Sequence, residues 1–283
     1  MPLIENDVTS RDSFTEIDIE RTRQAFDAAA PVYDAAYEGL PGIQRIRSVT
    51  SGLYLRYFPA GGRLLEINCG TGNDAIFLAR HGMNVLATDL SPGMVRETAE
   101  KTERAALRRC IETRELSFDQ LGELSGMTFD GAYSNLGGLN CTERLASVAA
   151  DLGRLLRPGA CLIATVMPSF CLWETLSSLL RFRWRQAFRR QARGGTVADL
   201  HGGRVRTYYH SPHSFRAAFG KDSEHVRTIG LAILTPPPNF IRAYTLLGDA
   251  ISLLERVDDV VAGFPPFASI GDHYAIVLRR KDR

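Results

Sequence analysis

Between residues 62 and 167 the chain alternates short apolar runs with amphipathic stretches, and this rhythm restricts its fold more than any other feature. "RLLEI" (63–67), "NVLATD" (84–89), "IETREL" (111–116), "FDGAYSN" (129–135) and "ACLIATVM" (160–167) read as strands. "NDAIFLARHG" (73–82), "SPGMVRETAEKTERAALRR" (91–109) and "TERLASVAADLGRLLRPG" (142–159) read as helices. The first closes on Gly82; the second opens with Ser91 as N-cap and Pro92 at its first position. Strands joined through single helices form βαβ units, which build a parallel sheet with right-handed crossovers. Ligands of such sheets lie beyond the carboxyl ends of the strands. Glu66, Asp89, Ser117 and Asn135 all fall at or just past those ends.

Two stretches interrupt the alternation. Residues 168–209 hold a basic helical segment and "GGRVRTYYH"; residues 235–270 run from "TPPPNF" through a helical "RAYTLLGDAISLLERVDD" to "FPPF". Between them lie a helix, "SPHSFRAAFG", and a strand, "HVRTIGLAIL", and "DHYAIVLRR" (272–280) supplies a last strand. The expected fold is α/β, a doubly wound and mostly parallel seven-stranded sheet with an N-terminal helical cover. Residues 1–60 form that cap, and 61–283 form the main domain with lid insertions at about 168–209 and 235–270. At 283 residues the chain can bury a sizeable core. A formal net charge of +2 gives no general attraction to nucleic acid or membrane, and no nucleic-acid partner is expected. The five cysteines are scattered without C-x-x-C spacing, so neither a zinc site nor a redox pair is indicated. The opening residues lack the layout of a signal peptide, and no apolar run is long enough for a transmembrane segment. A reduced, cytoplasmic protein is the expectation, and a homodimer is compatible with it.

"LLEINCGTGNDAIFLA" (64–79) is a strand end, a carboxylate, a glycine-rich turn and a helix. The turn fits the loose dinucleotide pattern, with Asp89 available to hold a ribose. Charge separates two ligands. A dinucleotide would bring a pyrophosphate towards the carboxylate of Glu66, whereas a ligand carrying an ammonium and a sulfonium would welcome it. S-adenosylmethionine is such a ligand, and its own carboxylate suits a helix N-terminus. Asn68, where a first glycine is common, is read as the residue after glycine that best accepts a left-handed backbone.

"LLEINCGTG", "ATDLSPGM" and "FDGAYSNLGGLN" resemble, in order and spacing, the motifs of class I S-adenosylmethionine-dependent methyltransferases. "AFDAAAPVYDAAYE" (25–38) is similar to the segment that covers the cofactor in that family, and the resemblance extends over about residues 25–167. It implies that Glu66 lies near the methionine ammonium, with Asn68, Cys69, Gly70 and Gly72 around the methionine portion. It further implies Asp89 on the ribose hydroxyls, Leu90 beside the adenine, Ser117 and Phe118 at the adenine edge, and Asn135 beside the reactive methyl. Ser117 stands where the family usually has an acid, and Asp119 is a substitute for it. Tyr33 and Tyr37 are candidates to close over the methyl, with packing against the sheet as their other reading. An NAD-dependent oxidoreductase and a non-catalytic cofactor-binding regulator remain as alternatives.

The acceptor side is less legible. "RFRWRQAFRRQAR" (181–193) holds six arginines and no acid, and Arg181, Arg185, Arg189 and Arg193 recur at helical spacing beside a row of apolar residues. A solvated basic face, a phosphate- or carboxylate-bearing substrate bound through Arg181, Arg185 and Arg189, and an anionic membrane surface all suit this pattern. A lid helix over residues 172–193 reaching a small anionic or aromatic acceptor is the favoured reading. Methyl transfer to a hydroxyl or amine benefits from a general base. Candidate catalytic residues are His210, His273, Glu174 and Tyr37, against a structural or solvent role that is the commoner one for any single histidine or for Glu174; no metal is expected.

Overall fold

The computed structural model describes residues 16–200 and 203–282. The part of the N-terminal cap before residue 16 lies outside them. Three helices lead the chain, α1 (Glu16–Ala29), α2 (Tyr33–Tyr37) and α3 (Pro41–Tyr57). The alternating core follows as β1 (Arg63–Glu66), α4 (Asn73–Arg80), β2 (Asn84–Asp89), α5 (Pro92–Arg104), β3 (Ile111–Glu115), β4 (Phe129–Ser134), α6 (Leu145–Leu155) and β5 (Leu156–Val166). The first insertion holds α7 (Leu172–Leu179), α8 (Trp184–Ala187) and the strands β6 (Thr196–Leu200) and β7 (Gly203–Thr207). Then come α9 (Pro212–Phe219), β8 (Ser223–Leu231), α10 (Ile241–Leu247), α11 (Ala250–Val261) and β9 (His273–Arg280).

The main sheet has seven strands in the order β3-β2-β1-β4-β5-β9-β8. All pairs from β3 to β5 are parallel, while β9 runs antiparallel to both β5 and β8. The strand order reverses between β1 and β4, so the crevice expected of such a sheet opens above these two strands. Both faces are covered. Leu65 and Ile67 join the core under α6 and α9, whereas Leu64 joins Ile46, Leu53 and Tyr54 of α3 on the other side. Strand alternation therefore puts Glu66, two residues after Leu64, on the α3–α4 face.

Several expectations need correction. The second core helix stops at Arg104, and Ala106 turns left-handed (φ 57°). The next helix ends at Leu155, because "LRPG" already belongs to β5. "GGRVRTYYH" contributes the second strand of a β6–β7 hairpin. Residues 172–193 are not one helix: Phe182 takes φ 56° and separates α7 from α8. Gly248, at φ 47°, likewise divides the "RAYTLLGDAISLLERVDD" segment into α10 and α11.

Candidate functional site

A cleft of about 220 Å³ lies above the carboxyl ends of β1 and β4. Its floor comes from the loops after β1, β2 and β4, with Met167 beyond β5; its roof comes from Thr22 and Phe26 of α1 and from the β6–β7 hairpin. The hairpin approaches α1 closely. A Cβ on Gly203 would lie 2.5 Å from Ala25 Cα, and Arg206 Nε sits 3.3 Å from Asp18 Oδ1.

The glycine loop is shaped by Gly70 (φ 53°) and Gly72 (φ 81°), conformations that L side chains resist. Gly72 also abuts Thr98, whose Oγ1 donates to Gly70 O at 2.8 Å. Asn68 is not in the left-handed region, so the conformational reading of its substitution fails. The side chain explains it instead. Asn68 Nδ2 donates to Asn135 O at 3.0 Å, tying the β1 loop to the β4 loop, and the carboxamide fills the space a Cβ on Gly138 would need. Asn68 Oδ1 is buried with no partner among the described residues. Asn68 is one of the residues lining the cleft.

Asp89 Oδ2 accepts from Gly70 N and Oδ1 from Ser91 N, both at 2.9 Å, so the carboxylate is fixed in the cleft wall. Burial pushes its pKa up to about 6, against the pull of those amides. Glu66 is 2% exposed and does not line the cleft. Its carboxyl lies on the α3–α4 face, and burial, followed by the Asp74 charge, pushes its pKa well above the usual range. Asp74 faces the cleft in its stead. It accepts from Asn135 Nδ2 at 2.9 Å and pairs with Arg47 Nη1 at 2.8 Å. Arg47 also grips Glu38 through Nε and Nη2, at 3.0 and 2.6 Å. Burial works against its charge, but Asp74 and Glu38 outweigh it and hold the guanidinium protonated. Asp34 of α2 receives Thr71 Oγ1 at 2.6 Å and pairs with Lys101, bolting the cap to the loop.

Of the other residues singled out by sequence, Tyr33, Cys69, Leu90, Phe118 and Asn135 line the cleft. Ser117 caps a 3-10 turn, accepting from Asp119 N at 3.2 Å. Both carboxylate oxygens of Asp119 are buried without hydrogen-bond partners among the described residues. Tyr37 packs against Tyr33 with the rings tilted at 48° and their centres 4.8 Å apart, outside the lining. His210 Nε2 is buried and unpartnered, and burial lowers its pKa. Glu174 sits in a buried ion cluster, pairing with Arg189 and, at 2.8 Å, with Arg190 Nε. Arg190 Nη2 reaches Asp272 Oδ1 at 2.6 Å, and Asp272 Oδ2 stands 2.9 Å from His273 Nδ1. Burial opposes the Asp272 charge, but His273 and Arg190 hold its carboxyl well below the usual range. The far nitrogen, His273 Nε2, lies behind Gly137, 3.7 Å from where a Cβ there would sit. Arg181 and Arg185 are exposed and lie outside the cleft.

Three acids, Asp74, Asp89 and Asp199, face this cleft against the single arginine Arg47. That balance suits a ligand with positive charge and one carboxylate, and it opposes a pyrophosphate; the dinucleotide alternative falls on this count. Leu90, Met94 and Phe118 add apolar walls for a planar base. Leu136 (φ 51°) and Gly137 (φ 77°), both left-handed, carry the backbone after β4 along the other side, a local strain of the kind that clusters at functional sites. Sequence reasoning missed Arg47, although a charged residue on the stripe formed by Ile43, Ile46, Thr50 and Leu53 of α3 was a usable signal. It also missed the hairpin roof and the Asp272–His273 pair, which stand adjacent in "GDHY".

Residues 64–159 match the family model of a methyltransferase domain. An S-adenosyl-L-methionine-dependent Diels-Alderase, iccD of Talaromyces variabilis, is 33% identical over 104 residues, 36% of this chain and 35% of that protein. The biotin biosynthesis bifunctional protein BioHC of Cellvibrio japonicus is 32% identical over 176 residues, 61% of this chain and 31% of that one. The chain thus spans about a third of the length of these curated relatives. Among solved structures, the [4+2]-cyclase SpnF superposes with a TM-score of 0.61 at 17% identity, over 96% of this chain and 99% of that one. The CcbJ methyltransferase from Streptomyces caelestis gives 0.60 at 16% identity, over 91% and 98%. Sheet order, glycine loop and matched segment agree: residues 64–159 carry a methyltransferase domain, and the chain has the seven-stranded fold of class I S-adenosylmethionine-dependent methyltransferases.

Proposed function

We propose that this chain transfers the methyl group of S-adenosylmethionine to an oxygen or nitrogen of a small molecule. The observation that carries the reading is the cleft's polar lining: three acids and the unpartnered Asn68 Oδ1 as acceptors, with one braced arginine as donor, at the β1–β4 crevice. Arg47 would hold the cofactor's carboxylate and Asn68 Oδ1 would accept from its ammonium. Asp89 would take the ribose hydroxyls, and Leu90 and Phe118 would flank the adenine. When bound, the cofactor supplies an electrophilic methyl on a sulfonium. The chain's part is alignment, exclusion of water and removal of one proton. His273 is the base we favour: Asp272 faces its Nδ1, and its Nε2 stands behind the Gly137 backbone of the cleft wall, so proton transfer from the acceptor would have to pass Gly137. Glu174 is better read as the counter-ion of Arg189 and Arg190 than as a base. Five free thiols support a reducing, cytoplasmic setting, and no helix among the described residues is long and apolar enough to cross a membrane.

A second reading has one specific support, the 33% identity with a cofactor-dependent Diels-Alderase. In that reading the cofactor stays intact and the mainly apolar chamber folds a polyene for ring closure. The test is incubation with methyl-labelled S-adenosylmethionine and a panel of phenols and amines. Methyl transfer yields labelled product and one equivalent of S-adenosylhomocysteine, and His273→Gln lowers turnover by about 10²–10⁴-fold without weakening cofactor binding. Cyclisation of a conjugated polyene that proceeds equally with S-adenosylhomocysteine, with no label transferred, would establish the second reading. Saturable cofactor binding with neither reaction would point to a regulator.

A further inference from the structure

The tip between α7 and α8 has no role in the cleft, yet it carries features that folding alone does not account for. Phe182 occupies the position after α7 where a left-handed residue ends the helix: Arg183 N donates to Ser178 O at 2.9 Å and Phe182 N to Leu179 O at 2.9 Å. Glycine is the usual occupant of such a position, because a side chain there is strained. Phe182 accepts the strain and gains no burial, with 82% of its surface exposed. Leu180 and Trp184, on either side, are 81% and 62% exposed, and Leu176 and Phe188 are exposed as well.

Arg181, Arg183 and Arg185 alternate with these side chains, all three exposed and without an acidic partner among the described residues. The tip is nevertheless braced. Thr175 Oγ1 donates to Ala187 O at 3.2 Å, Trp173 Nε1 donates to Leu234 O at 3.0 Å, and the Glu174–Arg190–Asp272 cluster locks its base. Aromatic and leucine side chains in water, ringed by unpaired guanidinium groups on a fixed support, have the composition of a bilayer-interface anchor.

We infer that the "LRFRWR" tip (180–185) docks this chain reversibly on an anionic lipid surface, with Leu180, Phe182 and Trp184 entering the headgroup region and Arg181, Arg183 and Arg185 meeting lipid phosphates. Charge complementarity favours an anionic partner. Side chains that protrude singly, rather than lining a groove, favour a fluid one over a shaped protein surface. The anchor is weak because the apolar load is three side chains.

The test uses the full chain and vesicles of phosphatidylcholine with or without about 30% phosphatidylglycerol. Trp184 is one of only two tryptophans, so a Trp173→Phe background isolates its emission. Anionic vesicles are expected to shift that emission to the blue and to carry the protein in flotation. Replacing Arg181, Arg183 and Arg185 together by Gln should weaken the partition by about a hundredfold. Leu180→Ser with Phe182→Gly should abolish it while leaving S-adenosylhomocysteine binding and the circular dichroism spectrum unchanged, which separates loss of docking from loss of fold. Equal partition into neutral vesicles, or unchanged Trp184 emission with anionic ones, overturns the inference. So does a dimer in sedimentation that the Leu180–Phe182 variant dissociates, since the tip would then face a second copy.

Discussion

Asn68 and Gly138 face each other across the β1 and β4 loops, and replacing Gly138 by Ala tests whether they are one unit. A Cβ at 138 would fall 2.5 Å from Asn68 Oδ1 and nearer still to Cγ, so the carboxamide has to leave its place. Gly138 itself is not left-handed, so alanine brings crowding without backbone strain. Overpacking of this kind costs about 1–3 kcal/mol. Displacing the carboxamide also breaks the 3.0 Å bond to Asn135 O, a further loss of about 0.5–1.5 kcal/mol. Gly138→Ala is therefore expected to destabilise the fold by about 2–4 kcal/mol. Asn68→Gly alone loses only the bond and some chain stiffness, about 1–2 kcal/mol. In the double variant the methyl occupies the space the carboxamide vacates, so the total should match Asn68→Gly alone. Urea denaturation of the four proteins, with the m-value checked for constancy, gives the coupling; calorimetric titration with S-adenosylhomocysteine gives the same cycle for binding. Because the double variant cancels the Gly138→Ala cost, a coupling of about 2–4 kcal/mol is expected. Strict additivity, within about 0.5 kcal/mol, would mean that Asn68 does not sit against Gly138 and that its presence in the glycine loop has some other origin.

Three further outcomes follow from the same geometry. Asp89→Ala should lower affinity for S-adenosylhomocysteine by about 1–3 kcal/mol, read by calorimetry. The wild-type affinity should fall as pH drops through about 6, where the Asp89 carboxylate is protonated. In the empty protein the sign reverses: because burial raises this pKa, its stabilising contribution is full below the unfolded value and is lost as pH rises through about 6, which pH-dependent urea midpoints would register. Arg47→Lys keeps the charge but loses the fork, and should weaken S-adenosylhomocysteine binding by about tenfold while leaving 5′-methylthioadenosine, which has no carboxylate, unaffected. Equal losses for both ligands would remove Arg47 from the carboxylate. Glu174→Ala leaves Arg190 buried beside one acid instead of two and should cost about 3–5 kcal/mol of stability, with cofactor affinity intact; a lost affinity at unchanged stability would return Glu174 to the site.

The core of the fold was legible because its signals are local. The central parallel strands β1, β2 and β4 are buried on both faces and bounded by turns, and Ser91–Pro92 marks a helix start through capping chemistry that needs no tertiary partner. The errors came where tertiary context decides. Nothing local to "LRFRW" announces a helix end, since a phenylalanine takes the left-handed position there. The β6–β7 hairpin exists because α1 gives one of its faces something to pack on, which no window of residues 196–207 reveals. Glu66 was expected to face the ligand from its strand end, but which face it occupies depends on strand parity against Leu64, and it lies buried outside the cleft lining. Asp74, two residues after Gly72, was overlooked because an acid in a helix's first turn is ordinary dipole chemistry. Its pairing with Arg47 across the helical cap is visible only in three dimensions.

The seam between α1 and the hairpin has a temporal consequence. With Gly203 pressed on Ala25 and Arg206 beside Asp18, the two elements form a single plate above the crevice. Traffic of fresh and spent cofactor beneath that plate calls for its displacement in one piece rather than the swing of a floppy arm. Loosening the seam at Arg206 would therefore be expected to change how readily the crevice exchanges cofactor, while the chemistry beneath it is left alone.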